Sequence, residues 1–148
     1  MPVKPPLYLQ ETDYSCAPAC LRMALAAAGI EKAEEELREI SGCTLEGTEA
    51  LAIVDAARSF GFQNTRKYNL DFDELKSSLA QNLYPIAYIK TRTGSQKLLQ
   101  QHAVVVIEIK PGKVFLLDPA PERGEIEMAE AEFLQAWSAM RRLTILVA

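Results

Sequence analysis

A chain of 148 residues, 49% hydrophobic and 24% charged, is long enough for one domain with a real core and has the composition of a globular protein. Sixteen basic residues stand against 20 acidic ones, a net charge of -4 with no basic cluster, which argues against nucleic acid or an anionic membrane as partner. The apolar runs are short and interrupted, so no membrane insertion is expected, and MPVKPPLYLQ has neither the apolar stretch nor the cleavage site of a secretion signal.

In chain order, the first ten residues carry prolines at 2, 5 and 6 and read as extended. A helix is expected from Ser15 to Ala28, closed by Gly29 in the left-handed conformation. The charged segment 31–40 is a second helix, ended by Ser41-Gly42. Thr48 is the expected cap of a third, in which Leu51, Val54 and Ala57 recur at helical spacing before Gly61. Residues 62–68 read as a short strand. Asp71 with Glu74 three residues on has the form of a capping box for a helix to about Gln81. Residues 84–90 read as a strand and 91–101 as a polar loop, which with Gly94 is placed to act as a lid. Residues 102–109 and 113–118 form a hairpin about Pro111-Gly112. Residues 127–140 have helix composition, with Phe133 and Trp137 on one face. Residues 143–148 are a last strand. Helices first and strands later favour an α+β domain with an antiparallel sheet, a single domain over 1–148.

Three cysteines, an odd number without scaffold spacing, read as reduced thiols in a cytoplasmic protein. Cys16 stands at a helix start that Pro18 pins, since proline is tolerated only in the first turn. Unpaired N–H groups and the dipole stabilise a thiolate there. Cys20, one turn on and in phase with Met23, Ala24 and Ala27, reads as core packing, and Cys43 as a loop or helix-start residue. A nucleophilic thiol needs a base, and the chain has one histidine, His102, at the loop–strand junction.

Asp118 ends the partner strand, and hairpin register decides whether it can orient His102. With a plain two-residue turn and no bulge, 105 faces 118, and His102 and Asp118 point to opposite sides of the sheet. One extra residue puts 104 opposite 118 and His102 diagonal to Asp118, roughly 7–8 Å away between Cα atoms. An odd residue is therefore expected, with Gly112 as its suggested place. Gln10 and the backbone N–H of Cys16 are candidate oxyanion donors if the loop between them folds back.

Q-ETDYS-CAPACLRMAL, then HAVVV, then LLDP, resembles the bacteriocin-processing, double-glycine leader peptidases, cysteine peptidase family 39 of the papain-like group. GTEALAIVDAARSFGF, the YPIAYI strand and the Phe-x3-Trp helix extend the likeness over almost the whole chain, in the family's order. The resemblance implies a papain-like fold with the nucleophile helix packed on an antiparallel sheet. It implies Cys16 as nucleophile, His102 as general base and acid, Asp118 as orienter and Gln10 as oxyanion donor. It also implies a peptide substrate, a double-glycine leader in the family, and a separate ABC exporter as partner, because the family's domain is often fused to one and none is seen in this chain. One departure is Ala17, where the family commonly has Gly; a methyl there crowds the substrate if the backbone is tight or needs positive φ.

Two other readings compete. One is a catalytically idle peptide-binding or partner-binding module on the same fold, which predicts an unactivated Cys16. The other is a zinc site of Cys16, Cys20, Cys43 and His102. It is disfavoured, because Cys-x3-Cys within one helix is not a usual zinc knuckle and neither a CxxC nor a second His is present. No metal and no cofactor are expected.

Overall fold

A computed structural model describes residues 3–92 and 98–148. The elements are α1 (Cys16–Ala27), α2 (Glu34–Ile40), α3 (Ala50–Ser59), β1 (Arg66–Asn69), α4 (Phe72–Ala80), β2 (Ile86–Thr91), β3 (Gln100–Lys110), β4 (Lys113–Asp118), β5 (Gly124–Ala129), α5 (Glu130–Ser138) and β6 (Leu143–Leu146). The six strands form one antiparallel sheet in the order β1-β6-β2-β3-β4-β5, so the expected α+β class is met.

The sheet is buried on both sides, and β3 is its axis. Ala103 and Val105 pack with Ile86, Tyr88 and Leu117 against α1 and α3. Val104 and Val106 pack with Ile89, Leu116, Phe133 and Trp137 on the opposite face. This is why residues 103–107 are continuously apolar rather than alternating: a strand covered on two sides has no solvent face. Phe133 and Trp137 stack with centroids 5.5 Å apart, and the Trp137 indole N–H donates to Thr144 Oγ1.

The structure differs from the sequence-based expectation in four places. Thr48 does not cap α3; Glu49 holds the N-cap position, without a side-chain bond, and Thr48 turns into a cleft described below. The loop expected over 91–101 is shorter, since Thr91 pairs with Gln100 and Lys90 with Gln101. The lid expectation falls on 91–101, of which 93–97, with Gly94, lie outside the described residues. Residues 124–129, of which 127–129 read as helix, are strand β5: Met128 is buried and Ile126 half-buried while Glu125, Glu127 and Ala129 face solvent, a period of two that outweighs the helix propensity of Glu, Met and Ala. Finally, Pro111-Gly112 is a plain two-residue turn, Lys110 facing Lys113, with Gly112 at φ 79°. The odd residue lies inside β3, between Val106 and Glu108. This bulge at Ile107 sends Ile107 to the α1 side and Ile109 to the α5 side, although two residues apart on a regular strand share a face.

Candidate active site

Cys16 is the first residue of α1. The residue before it, Ser15, makes no side-chain cap bond, so no capping side chain occupies the first-turn N–H groups. That leaves the positive end of the helix open beside the half-buried thiol. Pro18 is tolerated because its missing N–H falls in this first turn. Ala17 is helical and is absent from the residues with positive φ, so its methyl imposes no backbone strain.

The bulge sets the other half of the site. Val106 faces Leu116 and Val105 faces Leu117, so the same register puts 104 opposite Asp118 and His102 two residues beyond. His102 and Asp118 meet: Nε2 is 2.6 Å from Asp118 Oδ1, which also accepts the backbone N–H of Ala120 at 2.9 Å. Asp118 is fully buried and His102 is 4% exposed. With Nε2 turned to the carboxylate, Nδ1 is the ring nitrogen left for the thiol, and Cys16 and His102 line the same cleft. Burial alone would lower the proton affinity of His102. The hydrogen bonds and charges of Asp118 and Cys16 outweigh it and raise the pKa to about 9.

Cys20 is completely buried, and burial, reinforced by Cys16 and Asp118, pushes its thiol well above the ordinary range. Cys43 is half-buried, its sulfur 3.8 Å from the Tyr14 carbonyl. Among the described residues no three His, Cys, Asp or Glu are grouped to hold a metal ion.

Gln10 is tied to the segment that follows Asp118. Its backbone N–H donates to the carbonyl of Pro119, next to Asp118, and its amide Nε2 to the carbonyl of Thr12, both within 2.9 Å. The loop from Gln10 does fold back onto the site, but the Gln10 side chain does not line the cleft. That cleft is narrow, about 70 Å³. One wall is Cys16, Ala17, Tyr88, His102 and Ala103; the other is the turn Glu46-Gly47-Thr48, with Gln101 between. A shallower depression of about 410 Å³ continues from the same turn toward Ser41 and Ala52. This second wall is not among the sequence-based expectations. Its only local sign is Gly47, whose φ of 100° permits the tight Thr44–Gly47 bridge.

The sequence model of the peptidase C39 family matches residues 4–147. The chain belongs to that family. Against curated relatives this C39 member is 30% identical over 131 residues to the lactococcin-G-processing and transport ATP-binding protein LagD of Lactococcus lactis. The match covers 88% of this chain and 17% of LagD, so the chain spans a small part of that relative's length. Among solved structures it superposes on the peptidase domain of Streptococcus ComA, a bifunctional ABC transporter of a quorum-sensing pathway, with a TM-score of 0.76 and 28% identity over 98% of both chains. A double glycine motif protease from an AMS/PCAT transporter, solved with its leader peptide, gives 0.78 at 22% identity over 99% of this chain and 94% of its own, a likeness of fold. The α+β architecture is thus the papain-like one of C39 peptidase domains.

Proposed function

We propose that the chain is a cysteine peptidase that cleaves a leader peptide after a Gly-Gly pair, with Cys16 as nucleophile, His102 as base and acid, Asp118 as orienter and Gln10 as oxyanion donor. The observation that carries this reading is the His102–Asp118 contact of 2.6 Å beside a thiol at an uncapped helix start.

The chemistry follows from the geometry. His102 Nδ1 takes the Cys16 proton, and the positive end of α1 and the imidazolium both favour the thiolate. Sulfur attacks the scissile carbonyl carbon. The oxyanion is met by the Cys16 backbone N–H and by Gln10, whose amide nitrogen has one N–H beyond that given to Thr12. The C–N bond breaks as the imidazolium protonates the leaving amine, leaving a thioester. Water attacks the thioester with His102 again as base, and the free carboxylate and thiol are restored. Asp118 keeps the ring in one orientation and stabilises its charged form.

A cleft of about 70 Å³ is narrow enough to favour a substrate without side chains at the bond cut. LagD and the ComA domain are parts of transport proteins by name. By analogy the partners here are a double-glycine leader peptide and an ABC exporter, met on the cytoplasmic side, with the peptidase folding as a single domain over 1–148.

The test is cleavage of synthetic peptides ending in Gly-Gly, Gly-Ala or Val-Gly before the scissile bond, followed by mass spectrometry. Cleavage of the Gly-Gly peptide alone, abolished in Cys16→Ala, is expected. Binding of all three without cleavage by the wild type refutes the enzyme and favours the binding module.

A further inference from the structure

The loop between Gln10 and Cys16 is held by a buried charge that the reaction scheme does not use. Glu34 opens α2 and is fully buried. Its Oε1 accepts the backbone N–H of Glu11 at 3.0 Å, and the nearby side chain of Ser15 favours its charged form. Arg38, one turn along α2, places Nε 2.9 Å from Glu34 Oε2 and Nη2 3.2 Å from Glu11 Oε1. Ser15 Oγ accepts the backbone N–H of Thr12 at 3.1 Å and donates to the Thr12 carbonyl at 3.3 Å, so its hydroxyl is drawn back into the loop and does not cap α1. One carboxylate thus grips the loop at residue 11, next to Gln10, directly and through Arg38, while the loop's own Thr12–Ser15 bonds carry that hold on to the residue before Cys16.

A buried carboxylate is a poor way to stabilise a fold. Apolar residues of similar volume often serve as well or better, and burial raises the proton affinity of Glu34 despite its donors. The cost falls on the one segment that leads from Gln10 to the nucleophile, where small displacements matter most for catalysis. We propose that Glu34, neutralised by Arg38, is the positioning residue of the Gln10–Ser15 loop, fixing Gln10 for oxyanion stabilisation and keeping the α1 end uncapped. It rests on the reading of Gln10 as oxyanion donor.

Two reactions of Cys16 separate positioning from folding. Acylation by p-nitrophenyl acetate, read as the burst of p-nitrophenolate, passes through an oxyanion; alkylation by iodoacetamide does not. In the doubly apolar Glu34→Met/Arg38→Met chain the thermal midpoint should hold or rise, because the ion pair is replaced whole. Acylation should fall by about tenfold or more, toward the 10²–10³ that loss of one oxyanion donor costs. Alkylation should stay within about threefold across pH, since the thiolate keeps His102. Glu34→Gln keeps an acceptor for the Glu11 N–H and should recover part of the acylation rate; it carries the test if the double variant does not fold. In a Gln10→Ala background the double variant should add less than about twofold, because both changes remove one interaction.

Full acylation in the double variant, losses that multiply with Gln10→Ala, or loss only in step with the unfolded fraction overturns the proposal. If Gln10→Ala acylates at the wild-type rate, the role of Gln10 falls and this inference with it. If the wild type releases no p-nitrophenolate through Cys16, the peptidase reading itself has failed.

Discussion

Replacing Asp118 with Asn removes one charge and little volume, and its effect can be worked from the geometry. The asparagine carbonyl still accepts from Ala120, so the turn after β4 is kept. His102 loses the anion 2.6 Å from Nε2 while remaining buried. Burial then dominates, and the imidazole pKa should drop from about 9 to 6.5 or lower. The gap between about 9 and the ordinary 6.5 corresponds to about 3 kcal/mol at 1.36 kcal/mol per pH unit. A group that binds its proton more tightly when folded stabilises the fold while protonated. The contribution is therefore full below about pH 6.5 and is lost as the pH rises through about 9. In a chain of this size it amounts to about 6–12 °C in Tm between the two ends of that window. The assay is simple because the chain contains one histidine. An NMR titration of the single imidazole should give a midpoint near 9 in the wild type and 6.5 or below in Asp118→Asn, and only the wild type should lose Tm across that window for this reason. A wild-type midpoint at 6.5, or one unmoved by the substitution, refutes the reasoning.

Timed alkylation with mapping by mass spectrometry should label Cys16 and Cys43 in the folded chain and leave Cys20 untouched until unfolding, as its burial and raised pKa require. Deleting Ile107 removes the bulge and flips the face of residues 100–106 relative to β4; the His102 midpoint should fall as in Asp118→Asn, and Tm should fall with it. Ala17→Gly should cost up to about 1 kcal/mol of stability, read by urea unfolding, because the position is helical and gains nothing from glycine's freedom. Asp71→Ala breaks the capping box of α4 and should cost about 1 kcal/mol with no change in Cys16 alkylation, a control for mere destabilisation.

Much of this was legible in advance where a local rule acts alone. The Asp71–Glu74 box, the Gly29 and Gly61 stops and the start of α1 at Cys16 each follow from one residue's backbone chemistry, and each is where expected. Hairpin register requires an odd residue for Asp118 to meet His102, and Gly112 is its expected place, yet the odd residue lies at Ile107. Glycine at a turn is a local signal, whereas the bulge is set by two cores claiming Ile107 and Ile109 on opposite faces, which only the assembled sheet shows. Strand β5 was missed because Glu and Met favour helix in isolation and the alternation was too short to outweigh them. The Glu46–Thr48 wall and the Glu34 grip were invisible because both depend on contacts between segments far apart in sequence, Glu34 lying 23 residues from Glu11.

The place of β6 has a bearing on the order of events during folding. Among the described strands β1 pairs with β6 alone, and β6 also lies against β2. Residues 143–146 are thus wedged between segments made some sixty to eighty residues earlier, so the sheet stays open until they arrive. The thiol at position 16 is synthesised before its base and orienter, and these before the strand that closes the sheet. Such long loops must close before any of these contacts is rewarded, which makes folding slow compared with a helical bundle. A chain halted before Leu143 would carry all the proposed reactive residues yet lack a complete frame to hold them. Pulse-labelling with iodoacetamide should find Cys16 in such a truncated chain no more reactive than a free cysteine.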